Sequence, residues 1–167
     1  MCGHHGLVCG VGPVEAAAAT ARALSDVRPS AVLHVGIAGA HRTSGLEPPQ
    51  LVLGTAAVYE DLVLTTAPAP REASPDERLL RLAREALPDA AVLRIGTTGR
   101  VGGGSACLVE AMEGFAVLRA SALAGVPAVE LRAISNLVDN LRADWSIEEA
   151  LAALAGAIPP LLAAFTL

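Results

Sequence analysis

Short aliphatic runs alternate along this chain with longer Ala- and Leu-rich stretches in which polar residues return every three or four places. The first kind predicts strands and the second predicts helices with one buried face. GLVCGV, residues 6–11, is a short apolar run and is expected to be a strand. Gly12-Pro13 follows as a turn, and VEAAAATARAL has the length and alanine content of a helix. SDVRPS punctuates, and AVLHVGIAGA predicts a buried strand that ends in a glycine-rich turn. LVLGTAAVYEDLVL predicts one or two strands, and TTAPAPREASPDE a proline-rich loop, the least ordered part of the chain on composition.

The second half repeats the alternation. ERLLRLAREAL is amphipathic, with Leu79, Leu82, Ala83 and Ala86 on one face. AVLRIGTT predicts a strand and GRVGGGSA a flexible connection. Residues 113–124 predict a helix, stopped by Gly125 with Pro127 after it. PAVELRAIS predicts a strand, and IEEALAALAGAI a terminal helix with Asp144 or Ser146 as N-cap. The expected class is α/β, with a parallel or mixed sheet covered by helices. The 167 residues suit a single domain over 1–167, and no internal repeat interrupts it.

Composition narrows the chemistry. Hydrophobic residues reach 53% and aromatic residues only 2%, so any cavity is expected to be walled by small aliphatic side chains. A net charge of −5 gives no general attraction to nucleic acid or to an anionic membrane. All 12 cationic residues are Arg, which excludes a lysine Schiff base. The odd set Cys2, Cys9 and Cys107 argues for a reducing compartment. The N-terminus does not read as a signal peptide, and no apolar run approaches the ~20 residues of a membrane span. A soluble, cytoplasmic protein is expected. Cys2, His4, His5 and Cys9 match no standard zinc spacing, and neither metal nor cofactor is expected.

One carboxylate stands out: Glu113, inside the otherwise apolar EAMEGFAVLRA. An ionised carboxylate taken out of water costs several kcal/mol unless it finds partners. In an α/β sheet, ligands gather where strands end and helices begin. Gly36 to Ala40, Ser135-Asn136 and Glu113 all belong to such places. If the helix after Glu113 joins consecutive parallel strands, Glu113 and Asn136 approach each other. A carboxylate accepts from two neighbouring ribose hydroxyls, and an Asn amide matches the N7 and O6 edge of a 6-oxopurine. The Gly-Ile-Ala-Gly stretch lets a ligand come close to the backbone. These parts suit a purine nucleoside.

Plainer accounts compete at each position. Glu113 is also at home in the first turn of a helix, Asn136 could cap a turn, and Gly36 and Gly39 could serve packing alone. Tyr59 reads as a strand-surface or interface residue. GVGPVEA is similar to a dinucleotide-binding turn, but Pro13 removes a backbone N–H that phosphate would need.

GVGPVEAAAATARAL, VLHVGIAGA, AVYEDL, VEAMEGFAV and ELRAISN together resemble the nucleoside phosphorylase and nucleosidase superfamily. Within it the segments are most similar to the futalosine hydrolase family of menaquinone biosynthesis. The similarity runs in order from about Val8 to the final helix. It implies a three-layer α/β/α fold around a mixed sheet, here without the first strand-helix unit. The implied reaction hydrolyses the N-ribosidic bond of futalosine, giving hypoxanthine and dehypoxanthine futalosine. The resemblance implies that Glu113 and Asn136 are catalytic and that Met112 packs beneath the sugar. Ser135 would orient Asn136, Ala38 and Gly39 would line the ribose and water side, and Val101 would touch substrate. Adenine-cleaving relatives carry Asp where Asn136 stands, so the amide favours hypoxanthine. Phosphorylases resemble R-V-G-S/T-x-G where this chain has HVGIAG; His34 and Ile37 replace two phosphate contacts, which favours water as nucleophile. Two departures bear on rate. No Glu or Asp precedes Glu15, whereas relatives place a water-activating acid there, and GRVGGGSACLVE is short for a segment that covers the purine. Weak or no turnover is expected on that ground. The remaining alternatives are a phosphorylase, an adenine-releasing nucleosidase, and a nucleoside-binding remnant. A homo-oligomer is expected.

Overall fold

Proline at the first helical position and the alanine run behind it start helix α1, Pro13–Asp26. The structure is a computed structural model that describes residues 4–63 and 69–166; part of the proline-rich stretch therefore lies outside it. Strand β1, Val32–Ala40, follows, then β2, Leu51–Tyr59, and a two-residue β3, Glu72–Ala73. Helix α2, Glu77–Ala86, begins at Asp76, whose carboxylate accepts the Leu79 N–H at 2.9 Å. Strands β4, Ala91–Thr97, and β5, Val109–Ala111, lead to α3, Gly114–Leu123. Strand β6, Ala128–Leu137, and helix α4, Ile147–Phe165, complete the set.

The sheet is mixed, in the order β3-β2-β4-β5-β1-β6, and β2 also pairs with β6. That last pairing joins five strands into a ring, with β2, β4 and β5 running one way and β1 and β6 the other. One apolar cluster draws on all five: Ala38, Val52, Ile95, Val109 and Ile134 belong to it. On the opposite face Leu53, Leu131 and Ala133 meet Ala83 of α2 and Leu154 and Leu161 of α4. On the other side α1 packs on α3 through Ala16, Ala116 and Val117. Helix, sheet and helix thus form three layers, as expected of the α/β class.

Several local expectations change. Residues 4–10 form no strand, and Val8 is 94% exposed; a short apolar run becomes a strand only where a neighbour offers a ladder. GIAGA is not a turn, because β1 continues through it to Ala40. Residue pairing jumps there from Ala38↔Ile134 to Gly39↔Asn136, which leaves Ser135 as the extra residue of a β-bulge. Strand β5 is three residues long, too short to show a period. The described residues of LVLGTAAVYEDLVL hold one strand that ends at Tyr59, and Tyr59 stacks on Phe115 with ring centres 5.1 Å apart.

Helix α4 runs past Pro159 and Pro160 to Phe165. These prolines free carbonyls near Ala155 and Gly156, which are exposed and can bond to water. At full length α4 is long and apolar enough to cross a bilayer, which corrects the expectation that no segment is. Its stripe of Ala150, Leu154, Ala157 and Leu161 is buried against the sheet and α2, the pattern of a core helix. Leu131 is fully buried in that seam. Leu131→Ala is expected to cost roughly 2–5 kcal/mol, read as a lowered midpoint in urea unfolding.

Candidate active site

Glu130 and Arg132 leave the same face of β6, two residues apart. Glu130 is fully buried and Arg132 is 2% exposed. Arg132 Nε donates to Glu130 Oε1 at 2.8 Å, and Nη1 donates to Glu113 Oε2 at 3.3 Å and to the Ile37 carbonyl at 3.4 Å. Its Nη2 meets His34 Nε2. Residues Gly36 and Gly114 make room. A Cβ at Gly36 would collide with the guanidinium, and one at Gly114 would lie 2.7 Å from Glu130 Cδ.

Charge states follow from burial. Burial, then the neighbouring Arg132, hold His34 well below the usual imidazole range, so its Nε2 is a neutral acceptor for the guanidinium. Burial pushes the Glu130 carboxyl up, against the pull of Arg132. Its Oε2 has no hydrogen-bond partner. A single buried cation is thus shared by two carboxylates, and removing one member of such a pair typically costs about 3–5 kcal/mol.

Glu113 is the N-cap residue of α3, yet its side chain does not cap that helix. Oε1 instead accepts the Gly12 N–H at 3.1 Å, and Oε2 faces Arg132. The plain helix-start account gives its position but not the direction of its carboxylate. Gly12 has φ 88° and spends its N–H on Glu113, so the GVGPVEA turn does not hold that donor out for a dinucleotide phosphate.

A cavity of about 820 Å³ opens beside these groups. Met112, Glu113, Ala38, Gly39, Val101, Ser135 and Asn136 all line it. Asn136 is buried; its Oδ1 accepts the Ser135 hydroxyl at 2.8 Å and its Nδ2 donates to the Leu137 carbonyl at 2.9 Å. Glu113 and Asn136 do not approach each other directly. The helix between them joins strands of opposite sense, β5 and β6, so the parallel-crossover premise does not hold. Glu113 meets β6 at Arg132, which pairs with Gly36, whereas Asn136 pairs with Gly39. Three strand positions separate them, roughly 10 Å. They mark two ends of one cavity.

Sequence reasoning missed Arg132, Glu130 and Glu110, all of which belong to this region. A signal was present: the opposite charges of Glu130 and Arg132 stand two apart in the apolar strand PAVELRAIS. Of the Cys2, His4, His5 and Cys9 set, Cys2 lies outside the described residues, and among the described residues no three metal-binding side chains gather.

Residues 4–163 match the family model described as Phosphorylase superfamily. A futalosine hydrolase of Streptomyces coelicolor is 38% identical over 180 residues, covering 91% of this chain and 75% of that protein. Among solved structures, the MTA/SAH nucleosidase of Streptococcus pneumoniae with 8-aminoadenine superposes with TM-score 0.84 at 22% identity, covering 93% of this chain and 79% of the other. The futalosine hydrolase of Helicobacter pylori gives 0.83 at 19%, covering 92% and 76%. Both structures share the fold described above. The chain belongs to the Phosphorylase superfamily. Within it the chain is a nucleosidase, an N-glycosyl hydrolase.

The buried imidazole gives a pH signature. Because the folded state holds His34 neutral, the unfolded chain binds more protons below about pH 6.5. Stability therefore falls as pH drops from about 6.5 toward the lowered folded value. Glu130 acts oppositely: its raised folded value contributes stability below about pH 4.5 that is lost as pH rises through that value. His34→Gln keeps an acceptor for Arg132 and removes the titration. Its melting temperature is expected to fall less than that of the wild type between pH 7 and pH 5, in thermal melts at matched ionic strength.

Proposed function

We propose that this chain hydrolyses the N-ribosidic bond of futalosine, releasing hypoxanthine and dehypoxanthine futalosine, as a cytoplasmic homo-oligomer serving menaquinone biosynthesis. The observation that carries the reading is the pairing of a fixed carboxylate with a fixed amide at two ends of one cavity. The 38% identity to the Streptomyces futalosine hydrolase supports the choice of substrate.

Each group has a task that its surroundings suit. Arg132 and the Gly12 N–H hold the Glu113 carboxylate in one orientation, with lone pairs left for two ribose hydroxyls. Met112 lies next to it, on the sugar side. At the far end the Ser135 hydroxyl occupies one lone pair of Asn136 Oδ1, and the Leu137 carbonyl occupies one Nδ2 hydrogen. The second hydrogen remains for O6 of a 6-oxopurine, and the second lone pair for an N7–H once N7 has taken a proton from water. An amide is no acid, so the base leaves with its bond electrons stabilised by hydrogen bonds rather than by a proton from this side chain. Ala38 and Gly39 bring backbone close to the sugar, and Val101 closes the base side.

Water is favoured over phosphate as nucleophile. His34 is neutral and buried, Ile37 packs on the opposite face, and the cation of Arg132 is already engaged by two carboxylates. The test is to incubate the protein with futalosine in phosphate-free buffer and follow free hypoxanthine. Release is expected without phosphate. Cleavage only with phosphate would turn the reading to a phosphorylase, and binding without release would turn it to a nucleoside-binding protein. Glu113→Gln removes charge from two hydroxyl contacts of roughly 1.5–3 kcal/mol each, so kcat/KM should fall by about 10²-fold or more. Asn136→Asp should raise cleavage of methylthioadenosine relative to futalosine; an unchanged ratio would count against base recognition at this position.

A further inference from the structure

The connection from β4 to β5 carries three consecutive glycines, and without anchors such a segment would lose more conformational freedom on ordering than any other. In the structure three carboxylates hold its backbone. Asp61 accepts the Gly99 N–H. Glu110 accepts three donors: Gly102 and Gly103 at 3.0 Å on Oε1, and Gly104 at 3.1 Å on Oε2. Glu60 accepts the Ser105 hydroxyl at 2.8 Å and the Ala106 N–H at 3.0 Å.

Successive N–H groups converge this way because Gly102 and Gly103 have φ 87° and 76°, a conformation that side chains disfavour. Such a concavity of donors is an anion-binding nest, and here a carboxylate of the same chain fills it. Glu110 is itself 6% exposed, pairs in register with Gly39, and so stands at the Asn136 end of the cavity. Arg100 and Val101, just ahead of the nest, and Gly102, its first donor, line that cavity. The imidazole of His41, with Nε2 at 3.9 Å, is the charged or titratable side chain paired with Glu110 among the described residues.

We propose that Glu110 is a positioning residue, flanked by Asp61 and Glu60, which fixes residues 100–104 as the wall over the base end of the cavity and thereby sets affinity for the nucleoside. The identity of the ligand rests on the function proposed above; the anchoring itself does not. A wall touches bound substrate and transition state alike, so its loss raises KM while kcat stays nearly constant. A merely structural residue would lower the amount of active enzyme and leave KM alone.

Trypsin cutting after Arg100 reads the anchoring directly, through the mass of the fragment beginning at Val101. In Glu110→Ala, cutting at Arg100 should speed up about tenfold or more, KM for futalosine should rise about tenfold, and kcat should stay within about threefold. Glu110→Gln, which keeps one acceptor oxygen, should fall between. Hypoxanthine should protect Arg100 in the wild type and not in Glu110→Ala. Should Glu110→Ala fail to fold, Ser105→Ala loosens the strap at its other anchor and should shift cutting and KM in the same direction. Unchanged cutting in the folded variants would overturn the anchoring. Faster cutting with an unchanged KM, or with a fall in kcat alone, would overturn the wall. A wild type that does not cleave futalosine would remove the proposed substrate, while cutting at Arg100 would still decide the anchoring.

Discussion

A guanidinium with almost no access to water has to be satisfied from every side, and in this protein that requirement organises the site. Arg132 is met by Glu130 from its own strand, by Glu113 from the start of α3, by His34 from β1, and by a backbone carbonyl at Ile37. Each partner restricts something else. Position 36 has no side chain because the guanidinium occupies that space, and position 114 has none because Glu130 does. His34 remains neutral because it lies buried beside a fixed positive charge. Buried ionic groups seldom add net stability over a well-packed apolar alternative. Their effect here is on geometry: the carboxylate of Glu113 has one direction in which it can be used.

Backbone donors are employed in the same manner. Glu113 takes the N–H of Gly12, which ties the turn before α1 to the start of α3. Glu110, Glu60 and Asp61 take the donors of the glycine-rich connection. A chain with 2% aromatic residues has few large side chains with which to wall a cavity. Carboxylates bonded to loop backbone give another means of fixing its walls, since each bond to a charged acceptor is stronger than one between neutral groups.

The two kinds of likeness carry different weight. Solved structures at 19–22% identity superpose closely over nine tenths of the chain, which speaks for the fold. Several of them are adenine-binding nucleosidases and others are futalosine hydrolases, so the fold alone does not select a base. On the function proposed above, the base would be met by the side chains at the bulge in β6. There the extra residue Ser135 brings its hydroxyl to Asn136 and holds the amide in one orientation.

Much of this architecture is legible in the chain itself. Local pattern marks the four helices and the longer strands among the described residues, because a helix with one buried face writes a period of 3.6 and a strand buried on both faces, such as β6, reads as a short aliphatic run. The seven candidate site residues line one cavity. Three things were decided only by the assembled fold. The apolar stretch before Gly12 is not a strand, since pairing depends on a neighbour and not on composition. The glycine-rich connection is tethered because acids distant in sequence, Glu60 and Asp61, arrive beside it. Arg132 became the centre of the site through β1–β6 pairing and the position of α3, relations between residues up to about a hundred positions apart that no local pattern records.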